Sequence, residues 1–107
     1  PVIYGDGNQT RDFISVYDVV DVLIHVSSMN TPPKVLNVGT GQETSILELW
    51  SIFEEVYDIS KEPTFYAARD EIRRSVADIS ALKESLGRAP KVSLKTGISD
   101  MFGVSNV

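Results

Sequence analysis

Apolar residues at positions 16, 19, 20, 22, 23, 24 and 26 recur at helical spacing and predict an α-helix over residues 16–28. Within it Asp18, Asp21 and His25 fall at i, i+3 and i+7, so they share one face, read here as solvated. The run Met29-Asn30-Thr31-Pro32-Pro33 ends the helix, because proline lacks a backbone N–H and fixes φ. A second stripe (Ile46, Leu49, Trp50, Phe53, Val56 and Tyr57) predicts a helix that runs to Tyr57. Ser45 and Glu48 stand three apart at its start, the spacing of a capping box in which each side chain accepts a helix-start amide. Asp78 is placed to cap a third helix carrying Ile79, Leu82 and Leu86, stopped by Gly87 and Pro90. Ser93 is placed to cap a last one with Leu94, Ile98, Met101 and Phe102 on its apolar side.

Short extended runs lie between the helices. Residues 1–4, 13–15, 34–38 and 63–67 are expected to be strands, which makes the chain an α/β unit of short strands alternating with helices. No internal repeat or linker divides residues 1–107, so one domain is expected. The chain opens inside its first strand, and is therefore expected to be part of a longer protein.

That strand leads into Tyr4-Gly5-Asp6-Gly7-Asn8-Gln9-Thr10-Arg11-Asp12-Phe13. Gly5 and Gly7 permit backbone shapes barred to residues with a Cβ. Arg11 follows where the turn closes, and its planar guanidinium suits an anion. Charge sharpens this: a net −5 argues against a nucleic-acid partner, which calls for a basic stripe. Arg11, Arg69, Arg73 and Arg74 nevertheless sit where they could converge, which suits a small anionic ligand. For Arg73 and Arg74 the plainer alternative is a solvated surface.

The absence of cysteine excludes disulfides and thiolate chemistry and is compatible with a cytoplasmic location. The single histidine, His25, excludes a histidine-rich metal site. No apolar run approaches the roughly 18 residues of a membrane-spanning helix, and no signal-peptide pattern opens the chain, so no membrane partner is expected.

Several motifs imitate chemistry. Gly39-Thr40-Gly41 follows an expected strand, with Asp70 and Glu71 after the next, as in a dinucleotide fingerprint. Thr44 occupies the third glycine position, however, and the helix starts only at Ser45, too late to cradle a pyrophosphate. A structural turn is the better reading. Tyr57 and Lys61 have the spacing of a dehydrogenase catalytic pair, but Asp58, Ser60 and Pro63 mark a helix that is ending, so Tyr57 is read as a core residue. A metal held by Asp18, Asp21 and His25 is conceivable, and a solvated face explains them more simply. Arg69-Asp70-Glu71-Ile72-Arg73 follows a strand, where α/β folds place ligand loops. Guanidinium donors beside carboxylate acceptors suit phosphate and sugar hydroxyls together. The alternative is a surface ion-pair cluster of little worth.

Taken in order, Gly5-Asp6-Gly7, Gln9-Thr10-Arg11-Asp12-Phe13, Asp18-Val19-Val20, Asn37-Val38-Gly39-Thr40-Gly41, Ala68-Arg69 and Arg73-Arg74-Ser75-Val76-Ala77-Asp78 resemble the C-terminal, substrate-binding part of NAD-dependent UDP-sugar 4-epimerases. These belong to the extended short-chain dehydrogenase/reductase family. The resemblance implies that Arg11 and Arg69 contact the diphosphate of a UDP-sugar, that the backbone of Val2 and Tyr4 meets the uracil, and that Glu71 holds the ribose. Because the chain reads Arg69-Asp70-Glu71-Ile72 where the family has Arg-x-Gly-Asp, Asp70 is the alternative ribose contact. It further implies that NAD is bound by a separate N-terminal Rossmann domain, which would also carry the catalytic tyrosine and lysine. This chain alone is then expected to be inactive. The implied function is UDP binding for C4 epimerisation of the UDP-glucose/UDP-galactose type.

Two rivals stay open: the substrate domain of another nucleotide-sugar dehydratase, decarboxylase or reductase, and a stand-alone, non-catalytic anion- or nucleotide-binding module. If apolar helix surface is left uncovered, self-association follows, and a homodimer is one form it could take.

Overall fold

A computed structural model of the chain describes residues 1–101. In order it runs β1 (Val2–Tyr4), β2 (Thr10–Arg11), α1 (Val16–Ser27), β3 (Thr44–Ser45), α2 (Ile46–Tyr57), β4 (Thr64–Tyr66), α3 (Ser80–Leu86) and α4 (Leu94–Met101). The strands form two small ladders. β1 pairs in parallel with β4, Ile3 opposite Phe65, and the Gly5 amide extends the pairing by donating to the Tyr66 carbonyl at 2.9 Å. β2 pairs antiparallel with β3, Arg11 opposite Thr44. On its other side Thr10 bridges to Arg74: the Thr10 amide donates to the Arg73 carbonyl and the Ser75 amide to the Thr10 carbonyl.

The start of α2 explains how the glycine turn is held. The first amides of a helix lack partners within it. Here the expected capping box forms, with the Glu48 amide donating to Ser45 Oγ at 3.1 Å and the Ser45 amide to Glu48 Oε2 at 2.7 Å. The Ile46 and Leu47 amides donate to the carbonyls of Gln9 and Gly7, so helix and turn are pinned together. Gly7 has φ +78°, and a Cβ there would lie 2.7 Å from Leu47 Cγ, so both conformation and space require glycine. α2 stops at Asp58, whose left-handed φ of 50° ends the helix.

Val22, Ile79 and Leu82 are buried together, with Val26, Leu36, Val38, Ala77 and Leu86 packed around them. Leu82 is fully buried, which contributes roughly 1.5–3 kcal/mol. This core is thin. The radius of gyration is 16.3 Å, against about 13 Å for a compact domain of this length, and the molecule is a slab 15 Å through its shortest axis. The stripe of α2 is accordingly only half-buried, with no residue of that helix fully covered.

Local structure departs from the sequence pattern in four places. Residues 13–15 are not a strand: the ladder lies earlier, at Thr10–Arg11, and Ser15 instead caps α1 by accepting the Tyr17 amide. Residues 34–38 join no ladder, because Leu36 and Val38 turn onto the core while Val35 is exposed. α3 starts at Ser80, with the Asp78 carboxylate accepting from the Ser80 amide and hydroxyl. Ser93 takes its expected place before α4, accepting the Thr96 amide, whereas Phe102 lies outside the described residues.

The fourth departure is larger. The polar face of α1 is solvated only in part: Asp21 is exposed, but Asp18 is not. Asp18 is only 2% exposed, and its two oxygens accept the amides of Lys91 and Val92, each at 2.9 Å. His25 Nε2 lies 2.8 Å from the Ser85 carbonyl, where only a donor fits, and Asp21 pairs with Arg88. Segment 85–92 docks on this face, while Val16, Tyr17, Val20, Leu23 and Ile24 are exposed. Among the described residues no cluster could hold a metal, and no helix is long and apolar enough to cross a membrane.

Candidate functional site

A cleft of about 230 Å³ opens beside β1, and Val2, Tyr4, Gln9, Arg11, Arg69 and Glu71 are among its lining residues. The ladders assemble it. β1 supplies Val2 and Tyr4, the glycine turn and β2 supply Gln9 and Arg11, and the segment leaving β4 supplies Arg69 and Glu71. Arg11 Nη2 donates to Glu71 Oε2 at 2.9 Å, and Nη1 to the Thr10 carbonyl at 2.7 Å. Arg69 lies over the Tyr4 ring, 3.5 Å from its centroid, and pairs with no carboxylate among the described residues. The lining thus combines cationic donors and a carboxylate acceptor beside the strand β1. That combination can hold a ligand carrying both anionic and hydroxyl groups.

A larger cleft of about 530 Å³ lies by α2 and α4, lined chiefly by apolar side chains such as Phe13, Leu49, Phe53, Leu94 and Ile98. It is roomier, but no group of charged side chains converges on it, so chemistry selects the smaller one.

The five residues singled out in the sequence, Val2, Tyr4, Arg11, Arg69 and Glu71, therefore line one cleft. Asp70 is exposed and absent from its lining. The four arginines do not all converge. Arg73 makes a two-pronged pair with Asp6, and Arg74 another with Glu43, both outside the cleft. Arg73, and then the Asn8 amide, hold the Asp6 carboxyl far below the usual carboxylate range. Arg74, and then the Thr10 hydroxyl, lower that of Glu43. Such exposed pairs contribute little to stability.

Sequence reasoning missed two residues. The Asp12 carboxylate accepts from the Thr40 hydroxyl and amide and from the Gly41 and Ala77 amides, tying β2 to two distant segments. Burial opposes ionisation of Asp12, but the Thr40 hydroxyl and those amides outweigh it and keep the carboxyl below its usual range. Gln9, in the cleft wall, is the other. Their sequence signal is a place beside Arg11 in the motif Gln9-Thr10-Arg11-Asp12-Phe13.

Asp12 also decides the nature of the Gly39-Thr40-Gly41 turn. The Thr40 and Gly41 amides are spent on its carboxylate, and a Cβ at Gly39 would lie 2.6 Å from the Ala77 Cβ. The turn is packed against protein, its amides and space taken up by Asp12 and Ala77. Tyr57 and Lys61 likewise form no catalytic pair, because the helix ends between them and the Tyr57 hydroxyl donates to the Ile98 carbonyl.

A model of the NAD dependent epimerase/dehydratase family matches residues 1–39. The UDP-glucose 4-epimerase of Mycolicibacterium smegmatis is 39% identical over 91% of this chain and 31% of its own length. The crystal structure of UDP-glucose 4-epimerase with UDP-glucose from Thermotoga maritima superposes with a TM-score of 0.82 at 36% identity, over 91% of this chain and 31% of that one. This is an epimerase-like chain of the extended short-chain dehydrogenase/reductase family. Relatives with other reactions share it too: UDP-glucuronic acid decarboxylase 1 of Arabidopsis thaliana is 37% identical over 92% of this chain and 23% of its own length. The epimerase-like chain spans about a third of the length of the curated epimerases it matches.

Proposed function

We propose that residues 1–107 form the part of a nucleotide-sugar enzyme that holds the UDP portion of its substrate during NAD-dependent epimerisation at C4, of the UDP-glucose/UDP-galactose type. One observation carries the reading: Arg11, far in sequence from Arg69 and Glu71, lines one cleft with them and with Val2 and Tyr4. Arg11 and Arg69 bind the diphosphate. Arg11 uses only part of its five-donor fork on Glu71 and Thr10, which leaves N–H groups for an anion. The edge of β1 at Val2 and Tyr4 offers backbone groups to the uracil, and Glu71 accepts from the ribose.

In this reading NAD and the catalytic tyrosine and lysine belong to a further, Rossmann-type domain, and NAD supplies the hydride acceptor. The residues described here bind and orient. Anchoring the diphosphate and nucleoside gives binding energy while the sugar ring remains free to present either face. The decarboxylase relative supports a second reading, in which the same UDP handle serves another reaction on the sugar.

Incubating the full-length protein with NAD and UDP-glucose, and separately with UDP-glucuronic acid, distinguishes the two. UDP-galactose is the product expected. Release of carbon dioxide selects the second reading, and failure to bind UDP at all removes both.

A further inference from the structure

Gln9 is a polar side chain only 6% exposed, in the wall of the cleft. Its amide nitrogen donates to the Tyr4 carbonyl at 2.8 Å and to Glu71 Oε1 at 3.1 Å. Both partners are acceptors, so the orientation of the amide is fixed by its surroundings. Its oxygen, Oε1, is then buried without a hydrogen-bond partner among the described residues. A buried acceptor lacking a donor costs stability, and an apolar side chain of the same length would avoid that cost. Gln9 is thus better accounted for by what its nitrogen holds than by packing.

What it holds is Glu71. Arg11 grips Oε2 of that carboxylate, and Gln9 grips Oε1. The donors come from the pinned turn and from β2, which follows it directly. Arg11 alone would leave the carboxylate free to rotate about its terminal torsion, which is broad and roughly two-fold. With both oxygens engaged, the plane is set. A carboxylate has about four lone-pair sites, so acceptor capacity remains on each oxygen.

We propose that Gln9 is a positioning residue for Glu71, fixing the carboxylate plane so that its remaining lone pairs meet a vicinal diol. Gln9 thereby sets the preference of the site for ribose over 2′-deoxyribose nucleotides. The inference rests on the assignment of Glu71 to the ribose made above.

The test measures dissociation constants of UDP and 2′-deoxy-UDP for the full-length wild type, Gln9→Met and Gln9→Asn. Methionine matches the length without either polar atom; asparagine keeps an amide one methylene too short to reach Glu71, and gives the same comparison where the first variant does not fold. The wild type is expected to favour UDP on the order of tenfold, the low end for a hydrogen bond to a charged acceptor. The variants are expected to bring that ratio close to one. A merely structural role would weaken both nucleotides alike and leave the ratio in place, which overturns the role of Gln9 and leaves the UDP site standing. A wild type that binds both nucleotides equally also overturns it. A wild type that binds neither removes the site itself, and this inference with it.

Discussion

The Arg69 guanidinium rests 3.5 Å from the centroid of the Tyr4 ring, and that ring and the Tyr66 ring are T-shaped with centroids 5.9 Å apart. The cation sits over the negative face of an aromatic ring, an attraction of about 0.5–1 kcal/mol at an exposed site. A long side chain is thereby held near the cleft before any ligand arrives, so less conformational freedom is lost on binding. Tyr4→Leu keeps an apolar side chain at that position and removes the ring face. It is expected to weaken UDP binding by about 0.5–1 kcal/mol in calorimetric titration of the full-length protein. Unchanged affinity would uncouple Tyr4 from Arg69.

Arg11 is the stronger test of the site. Arg11→Ala removes a guanidinium that a diphosphate would engage, and is expected to cost roughly 1.5–3 kcal/mol of UDP-sugar affinity, the range for a charged hydrogen bond. The proper control is Arg73→Ala. Arg73 is also a guanidinium, on a neighbouring segment, but it pairs with Asp6 outside the cleft. Its loss is expected to leave affinity nearly unchanged. Equal losses from the two substitutions would mean that the effect is general electrostatic attraction rather than a site.

Asp12 organises the loops behind the cleft, and its removal is expected to appear in stability. Asp12→Asn replaces an acceptor-only group with one that offers N–H to the donors of Thr40, Gly41 and Ala77. A loss of about 1.5–3 kcal/mol at neutral pH is expected in denaturant unfolding. The pH dependence has a definite sign. Because the folded carboxyl lies below its unfolded value, its contribution is complete above the usual carboxylate range near pH 4 and fades as pH falls through the folded value. The gap between wild type and Asp12→Asn should therefore close on acidification. Asp6, Glu43 and Asp78 are depressed as well, but they are common to both proteins and drop out of the difference. A gap that widened toward low pH would contradict this account.

The features that were legible in the sequence are those whose partners lie within a turn or two. The Ser45–Glu48 capping box and the stop at Gly87 depend on neighbours three or four residues away, and they formed where expected. The gathering of Arg11, Arg69 and Glu71 was reached through family resemblance; nothing local in Arg69-Asp70-Glu71 says which carboxylate turns inward. Asp12 was missed because its partners at Thr40 and Ala77 are distant in sequence. Residues 34–38 carry a strand-like pattern, but a ladder also needs a partner edge, and Leu36 and Val38 meet the core instead. Periodicity gave the helical form of α1 correctly. Which of its faces is covered depends on segment 85–92, which periodicity cannot see.

That docking makes the last prediction. Asp18 lies on the polar face of α1 and is almost wholly buried, with the Lys91 and Val92 amides as its partners. Asp18→Ala would leave two amides without acceptors at a part-buried position. Its expected cost is about 3 kcal/mol, since an orphaned buried donor costs roughly 1–3 kcal/mol. Asp18→Asn, which retains one good acceptor, should fall between it and the wild type. Global stability alone does not locate the effect, so hydrogen exchange is the sharper readout. The amides of residues 91 and 92 should lose protection in Asp18→Ala by more than those of the β1–β4 pairing, which lie elsewhere in the fold. A solvated Asp18 would leave exchange at 91 and 92 as it was, and would restore the simpler picture of α1 as a helix with a wet polar side.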